Sequence, residues 1–305
     1  MKDGIYFNLP AEEYHAQKRL TSTGIKNLLI SPTTFWFNSA FNPLREEKKT
    51  KALDDGTIYH KILLEGSEAL QRDFVVMPES IAELNKNTST FKLWKSAQPE
   101  GALIVDRKYY NKIKTNIDYL NEWILPRILT DGYAEVSILW TDKNGIKKQC
   151  RFDYLKRNMF IDLKTFEKNS PCDIKTHAQK LFYANKTFIQ LQFYRSCEPY
   201  IQDLPVFGTP EQEQFIKELD LQGQAVLYVD RNLPHSRFFK YSAEGSPNLW
   251  QLGEESIARA ERLFLDNLAK FGERCAWLDM EPLEEFLDVD FPQSFFNLLE
   301  IRDYE

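Results

Sequence analysis

Asp153, Asp162 and Lys164 stand in two short runs, QCRFDYLKR and MFIDLKT, that read as adjacent strands. If Arg157 and Asn158 form a two-residue hairpin turn, residue 155 faces 160, 154 faces 161, and Asp153 lies opposite Asp162. Side chains alternate along a strand, so Lys164 returns to the face of Asp162 and both carboxylates share a patch with the ammonium. Adjacent carboxylates repel and raise each other's pKa, which a hard divalent cation such as Mg²⁺ relieves by taking oxygen ligands. The hairpin reads as a metal site with a lysine beside it. An Asp–Lys pair at this spacing is, on its own, more often part of a solvated strand face. The apolar Phe160, Ile161 and Leu163 around Asp162 favour the chemical reading, because such a run is a poor place for a merely solvating acid.

Other residues fall near this hairpin by order. His60 closes GTIYH in a stretch read as helix from about 52 to 65, with Gly56 one turn back on the same face. A lone histidine on such a helix is ordinarily structural, but the missing side chain at Gly56 lets another backbone or a nucleic-acid strand come close. Glu135 opens AEVSILW; an odd loop length around Asn144 and Gly145 sets it opposite Asp153 and an even one turns it away, and both registers stay open. Gln190 and Tyr194 are four apart on a helix and share a face that can act on a phosphate, a base or a carboxylate. A polar helix face is the plainer reading of that pair in isolation.

These residues must be held by an α/β arrangement. Thr21, Ser22 and Thr23 precede a short capped helix that ends before Ser31 and Pro32, and a longer helix from Asp106 to Leu129 is bent or ended by Pro126. Strands at roughly 133–140, 147–156 and 159–165 form an antiparallel meander. A helix or helix pair at 174–200, strands at QAVLYVD and SRFFKY, and a long amphipathic helix at about 248–271 complete the pattern. The expected organisation is a single domain over 1–305, with a helical leader over 1–50, core motifs over about 50–200, and a strand, helix and acidic tail over 201–305.

With 305 residues, 43% of them hydrophobic and 14% aromatic, the chain can build a substantial core. Cys150, Cys172, Cys197 and Cys275 are scattered without metal-ligand spacing, which gives a zinc ribbon no support and fits reduced thiols. MKDGIYFNLP has no apolar leader core and no membrane-length apolar run occurs, so a cytoplasmic, membrane-free protein is expected. The net charge of −6 argues against a diffuse basic coat but leaves room for a local groove. The basic runs at 45–51 and 107–114 read as solvated helix faces.

GTIYH, the Glu of AEVS, the Asp of QCRFDYL, DLKT and QLQFY occur in the order found in RecB-type nucleases of the PD-(D/E)XK superfamily, and the chain resembles most closely the exonuclease VIII (RecE) group. The leader TSTGIKNLLISPTTFWF is similar to that group's opening segment, and the resemblance runs from about Tyr14 to Tyr200. It departs at Cys150, where related patterns often carry Gly or Ala.

The resemblance implies a restriction-endonuclease-like α/β core, a small central mixed sheet flanked by helices. It further implies that His60, Asp153, Asp162 and the backbone carbonyl of Leu163 hold Mg²⁺, with Mn²⁺ as a substitute. Lys164 is then the catalytic lysine, Glu135 a supporting acid, and Gln190, Tyr194 and Arg151 contact DNA. The implied activity is a metal-dependent exodeoxyribonuclease that degrades linear duplex DNA 5′ to 3′, leaving 3′ single strands for recombination. The polarity follows from the resemblance alone. A structure-specific or single-strand nuclease of the same superfamily, and a DNA-binding protein on a degenerate nuclease fold, are the alternatives. A Cas4-like enzyme is disfavoured because an iron–sulfur cysteine cluster is missing. Expected partners are double-stranded DNA ends, further copies of the chain in a ring, and a single-strand annealing protein. Trp277, Phe286, Phe291, Phe295 and Phe296 either join subunits or pack on their own core.

Overall fold

The computed structural model describes residues 1–45, 56, 59–64, 74–99, 102–167, 172–232 and 236–278. Most of the basic run 45–51, the flanks of the expected 52–65 helix, and the tail with Phe286, Phe291, Phe295 and Phe296 lie outside them; Gly56 and residues 59–64 are helical.

The strands are β1 (Gly4–Tyr6), β2 (Phe74–Val76), β3 (Leu103–Val105), β4 (Gly132–Thr141), β5 (Lys147–Lys156), β6 (Met159–Phe166), β7 (Val206–Phe207), β8 (Gly223–Asp230) and β9 (Ser236–Lys240). Seven of them form one mixed sheet in the order β7-β1-β4-β5-β6-β8-β9. The meander β4-β5-β6 is antiparallel as expected, while β8 runs parallel to β6 and β7 parallel to β1. β2 and β3 make a separate parallel pair. β6 and β8 are buried over most of their length because helices cover both faces of the sheet there, so their sequences read as nearly continuous apolar runs.

Alternation along β6 divides the core. Phe160 joins one cluster with Phe152, Val136 and Ile138 and with Phe188, Ile189 and Leu191 of the Thr187–Arg195 helix. Ile161 and Leu163 join the other with Tyr59, Ile62 and Leu63 and with Ile113, Ile117 and Leu120 of the Arg107–Trp123 helix. Asp162 and Lys164 therefore point with Phe160 toward the Thr187–Arg195 helix, and His60 approaches from the other side.

The alternation slips in β4 and β5. Phe152 and Leu155, three apart, both enter the first core, and Tyr133 packs against the same core as Val136. Between them lie Glu135, whose φ of 54° is left-handed, and Asp153. The β4–β5 ladder pairs 134 with 154 and 136 with 152 but omits the pair between, an irregularity that re-aims both acids.

The leader is built as its residues dictate. Thr21 Oγ1 accepts the Gly24 N–H at 3.0 Å to cap the Ser22–Leu28 helix, and Ser31 Oγ accepts the Thr34 N–H at 3.0 Å to cap Pro32–Asn38. The Arg107–Trp123 helix ends at Ile124, and Pro126 stands in the first turn of the short helix Leu125–Ile128 that follows. The Pro247–Phe271 helix supplies Ala260 and Phe264 to the first core. Trp277 is fully buried among Phe35, Phe41 and Phe264, with ring centroids 5.0, 6.0 and 5.4 Å away, so of the two roles expected for it the structure shows packing on the chain's own core.

Candidate active site

The hairpin turns at Arg157 and Asn158, and 155 pairs with 160 and 154 with 161, the expected register. The ladder ends there. Asp153 Oδ2 accepts the Leu163 backbone N–H at 2.6 Å, so a carboxylate takes the donor that a continued ladder would give to a carbonyl. Both acids are thereby fixed by the place where the strands part.

Asp162 is buried, and its two oxygens have different surroundings. Oδ1 accepts from Gln190 Nε2 at 2.7 Å, while Oδ2 lies 2.9 Å from Lys164 Nζ in an ion pair. Burial, then the Asp153 charge, raise the Asp162 pKa against the pull of Lys164. Burial alone would depress Lys164, but Asp162 and Asp153 outweigh it and hold the amine above its usual range.

Gln190 also donates to the Tyr194 hydroxyl at 3.2 Å, and the Tyr194 ring packs edge-on to Phe152 with centroids 5.8 Å apart. Both side chains are buried, 9% exposed in each case. In this arrangement the pair orients Asp162 and does not present an open DNA-contacting face.

His60 reaches the acids from the opposite layer. Its Nε2 is 3.0 Å from Asp153 Oδ2 and 3.2 Å from the Leu163 carbonyl oxygen, and its Nδ1 is 3.9 Å from Glu135 Oε1. Burial opposes protonation, yet the Asp153 carboxylate, helped by Glu135, raises the imidazole to about 9. Burial likewise opposes ionisation of Asp153, but His60, Lys164 and the Leu163 N–H bring its pKa below the usual value. Gly56 stands beside β6, where among the described residues a Cβ would meet Thr165 Oγ1 at 3.6 Å, an ordinary contact.

The structure resolves the register left open at Glu135: the numbering of the flanking pairs sets it opposite Asp153. Its left-handed backbone turns the carboxylate between His60 and Arg151, whose Nη1 is 3.2 Å from Glu135 Oε2. Such a conformation costs about 1–3 kcal/mol for a residue with a Cβ and persists where function re-aims a side chain. Arg151, expected on DNA, is committed to the protein. It donates through Nε to Ser137 Oγ at 2.8 Å and through Nη2 to the Leu9 carbonyl at 2.7 Å, and its guanidinium lies 4.4 Å from the Tyr14 ring centroid. It holds Glu135 in place rather than offering a free fork to phosphate.

Among the described residues no three His, Cys, Asp or Glu side chains already stand in coordinating positions. The residues nonetheless fit a hard divalent ion. Asp162 Oδ2 is buried with the Lys164 ammonium beside it, and His60 Nε2, Asp153 Oδ2 and Leu163 O converge on one another, joined by a proton that a cation can replace. Carboxylate and carbonyl oxygens with a single imidazole suit Mg²⁺ or Mn²⁺.

Lys26 belongs to the same cluster and carries no signal in the sequence that links it there. From the leader helix it donates to Gln190 Oε1 at 3.4 Å across 164 residues of chain. Burial, then the charge of Lys164, lower its pKa to about 8.

The sheet, its flanking helices and the acid–acid–lysine set are those of a PD-(D/E)XK-like fold, the class that the motifs implied. Residues 22–202, more than half of the chain, match the family described as a PDDEXK-like domain of unknown function (DUF3799), and the chain belongs to that family. A crystal structure from Eubacterium rectale, of a protein provisionally named an exonuclease, is similar with a TM-score of 0.51 at 13% identity, covering 95% of this chain and 98% of its own; at that identity the likeness is one of fold. The crystal structure of SSO0001 gives a TM-score of 0.22 at 13% identity over 67% of this chain and 85% of its own, too low to bear on the fold. No curated protein matches. Among the described residues no helix is long and apolar enough to cross a membrane.

Proposed function

We propose that this protein is a metal-dependent deoxyribonuclease that hydrolyses phosphodiester bonds from the ends of linear duplex DNA. The observation that carries the reading is the convergence of His60 Nε2, Asp153 Oδ2 and Leu163 O beside the Asp162–Lys164 pair. The exonuclease name of the Eubacterium rectale protein supports the preference for ends.

His60, Asp153, Asp162 and the Leu163 carbonyl would hold Mg²⁺ or Mn²⁺. When bound, the ion supplies Lewis acidity toward the phosphate and lowers the pKa of water. The chain's own groups do the rest. Lys164, kept protonated by the acids beside it, orients the attacking water and offsets the charge that grows on the phosphate in the transition state. Gln190 fixes Asp162, and the Arg151 guanidinium fixes Glu135 against His60. Degradation from the 5′ end, with 3′ single strands left for an annealing protein and a ring of subunits around the duplex, forms the finer part of the proposal.

The test is degradation of linear duplex labelled at either end, in Mg²⁺, against a covalently closed circle. Loss of 5′ label as mononucleotide with the circle spared supports the reading. Rapid cutting of the circle would make the protein an endonuclease, and DNA binding without cleavage in any divalent metal would make it a binder on a nuclease fold.

A further inference from the structure

Resting on the nuclease reading, we propose that Lys26 is a substrate-contacting residue: from the leader helix it binds a non-bridging oxygen of the DNA phosphate beside the acid pair, held in position by Gln190.

Two further ammoniums, Lys164 and Lys186, act by charge on Lys26, and Asp162 acts on it in the opposite sense. Lys164 pairs with Asp162, whereas among the described residues Lys26 and Lys186 have no carboxylate within ion-pair distance. Among the described residues the one hydrogen bond that Lys26 makes is long, 3.4 Å to the neutral Gln190 Oε1, and leaves donors of the ammonium unused. Lys186 precedes the Thr187–Arg195 helix in a left-handed conformation, φ 50°, and its charge reaches Lys26. Like charges brought together and half-buried, with Asp162 already paired to Lys164, disfavour the free protein. A phosphate diester relieves that cost, because its anionic oxygens accept from several ammoniums at once.

The placement follows from the fold. The capped Ser22–Leu28 helix packs through Ile25 and Leu28 in the same core as Phe188 and Leu191, and this sets Lys26 over Gln190. Through Gln190 Nε2 the chain of contacts continues to Asp162. A lysine meant only to support Gln190 needs neither a second ammonium beside it nor unused donors. The arrangement gives the leader a direct part in recognition, with Lys164 acting on the reacting phosphate in the transition state and Lys26 binding the backbone in the ground state.

The experiment measures binding of a fluorescein-labelled duplex by anisotropy in EDTA, over 50–200 mM salt, for wild type, Lys26→Met and Lys26→Arg, with the kcat/KM of cleavage in Mg²⁺ alongside. Methionine keeps helix propensity and stem packing, and thermal melts establish that each variant is folded. One lost phosphate contact lowers the slope of log affinity against log salt by about 0.9, so the methionine variant's affinity should fall about 3.5-fold less than the wild type's across that range. Lys26→Arg should restore the slope. A Lys26→Met protein that binds DNA with the wild-type slope, even if its kcat is reduced, overturns the proposal, since that is the result of merely positioning Gln190. Wild-type protein without salt-dependent DNA binding overturns the nuclease reading itself, and Lys26 with it.

Discussion

His60 Nε2 stands 3.0 Å from Asp153 Oδ2, so a proton occupies the space between two groups that can each give an electron pair to a metal. The imidazole is held to about 9, and at neutral pH it is charged. Metal binding there must expel that proton. Affinity for Mg²⁺ or Mn²⁺ should therefore rise about tenfold per pH unit below about 9 and level off above it. Calorimetry at pH 7 in buffers of differing ionisation enthalpy should report about one proton released per site; heats independent of the buffer would remove His60 from the ligand set.

Glu135 carries backbone strain that glycine does not feel. Glu135→Gly and Glu135→Ala both lose the contacts to His60 and Arg151, but only alanine keeps a Cβ at φ 54°. The glycine variant should be the more stable of the two by about 1 kcal/mol in urea unfolding. Equal stability would mean that the left-handed backbone is not retained.

Trp277 tests whether the C-terminal segment belongs to the core. Trp277→Ala empties a fully buried ring site among Phe35, Phe41 and Phe264 and should cost about 3–5 kcal/mol in the same measurement. A change below about 1 kcal/mol would show that this segment is not packed there in solution.

Lys26 gives DNA binding a pH dependence of its own. Burial, then the charges of Lys164 of β6 and Lys186 at the start of the neighbouring helix, lower its pKa to about 8 against the opposing pull of Asp162 beside Gln190. Below that pH the ammonium contributes to phosphate binding, and above it the neutral amine does not. The difference in DNA affinity between wild type and Lys26→Met should shrink as pH rises from 7 to 9. A difference that stays constant would place the titration elsewhere.

The hairpin was legible in the sequence because a two-residue turn fixes register, and register together with strand alternation puts Asp162 and Lys164 on one face. Lys26 was not legible, since its meeting with Gln190 depends on two helices packing across 164 residues. Glu135 needed a loop length and a left-handed residue that no periodicity encodes. Arg151 lies where Ser137 and Leu9 accept from its guanidinium and the Tyr14 ring covers its face, contacts that depend on the leader folding over β5 and that no spacing in the sequence encodes. The strands β1, β2, β3 and β7, of two or three residues each, are too short to show alternation.

The most direct test compares wild type, Asp153→Ala, Asp162→Ala and Lys164→Ala by single-turnover cleavage of end-labelled linear duplex in Mg²⁺, with metal affinity measured on the same preparations. Losing either acid should weaken metal binding and abolish cleavage together, because each deletes oxygen ligands. Losing Lys164 should leave metal and DNA affinity in place and slow the chemical step by about 10² or more. A Lys164→Ala protein that cuts at the wild-type rate, or wild-type protein that cuts equally well in EDTA, would contradict the account.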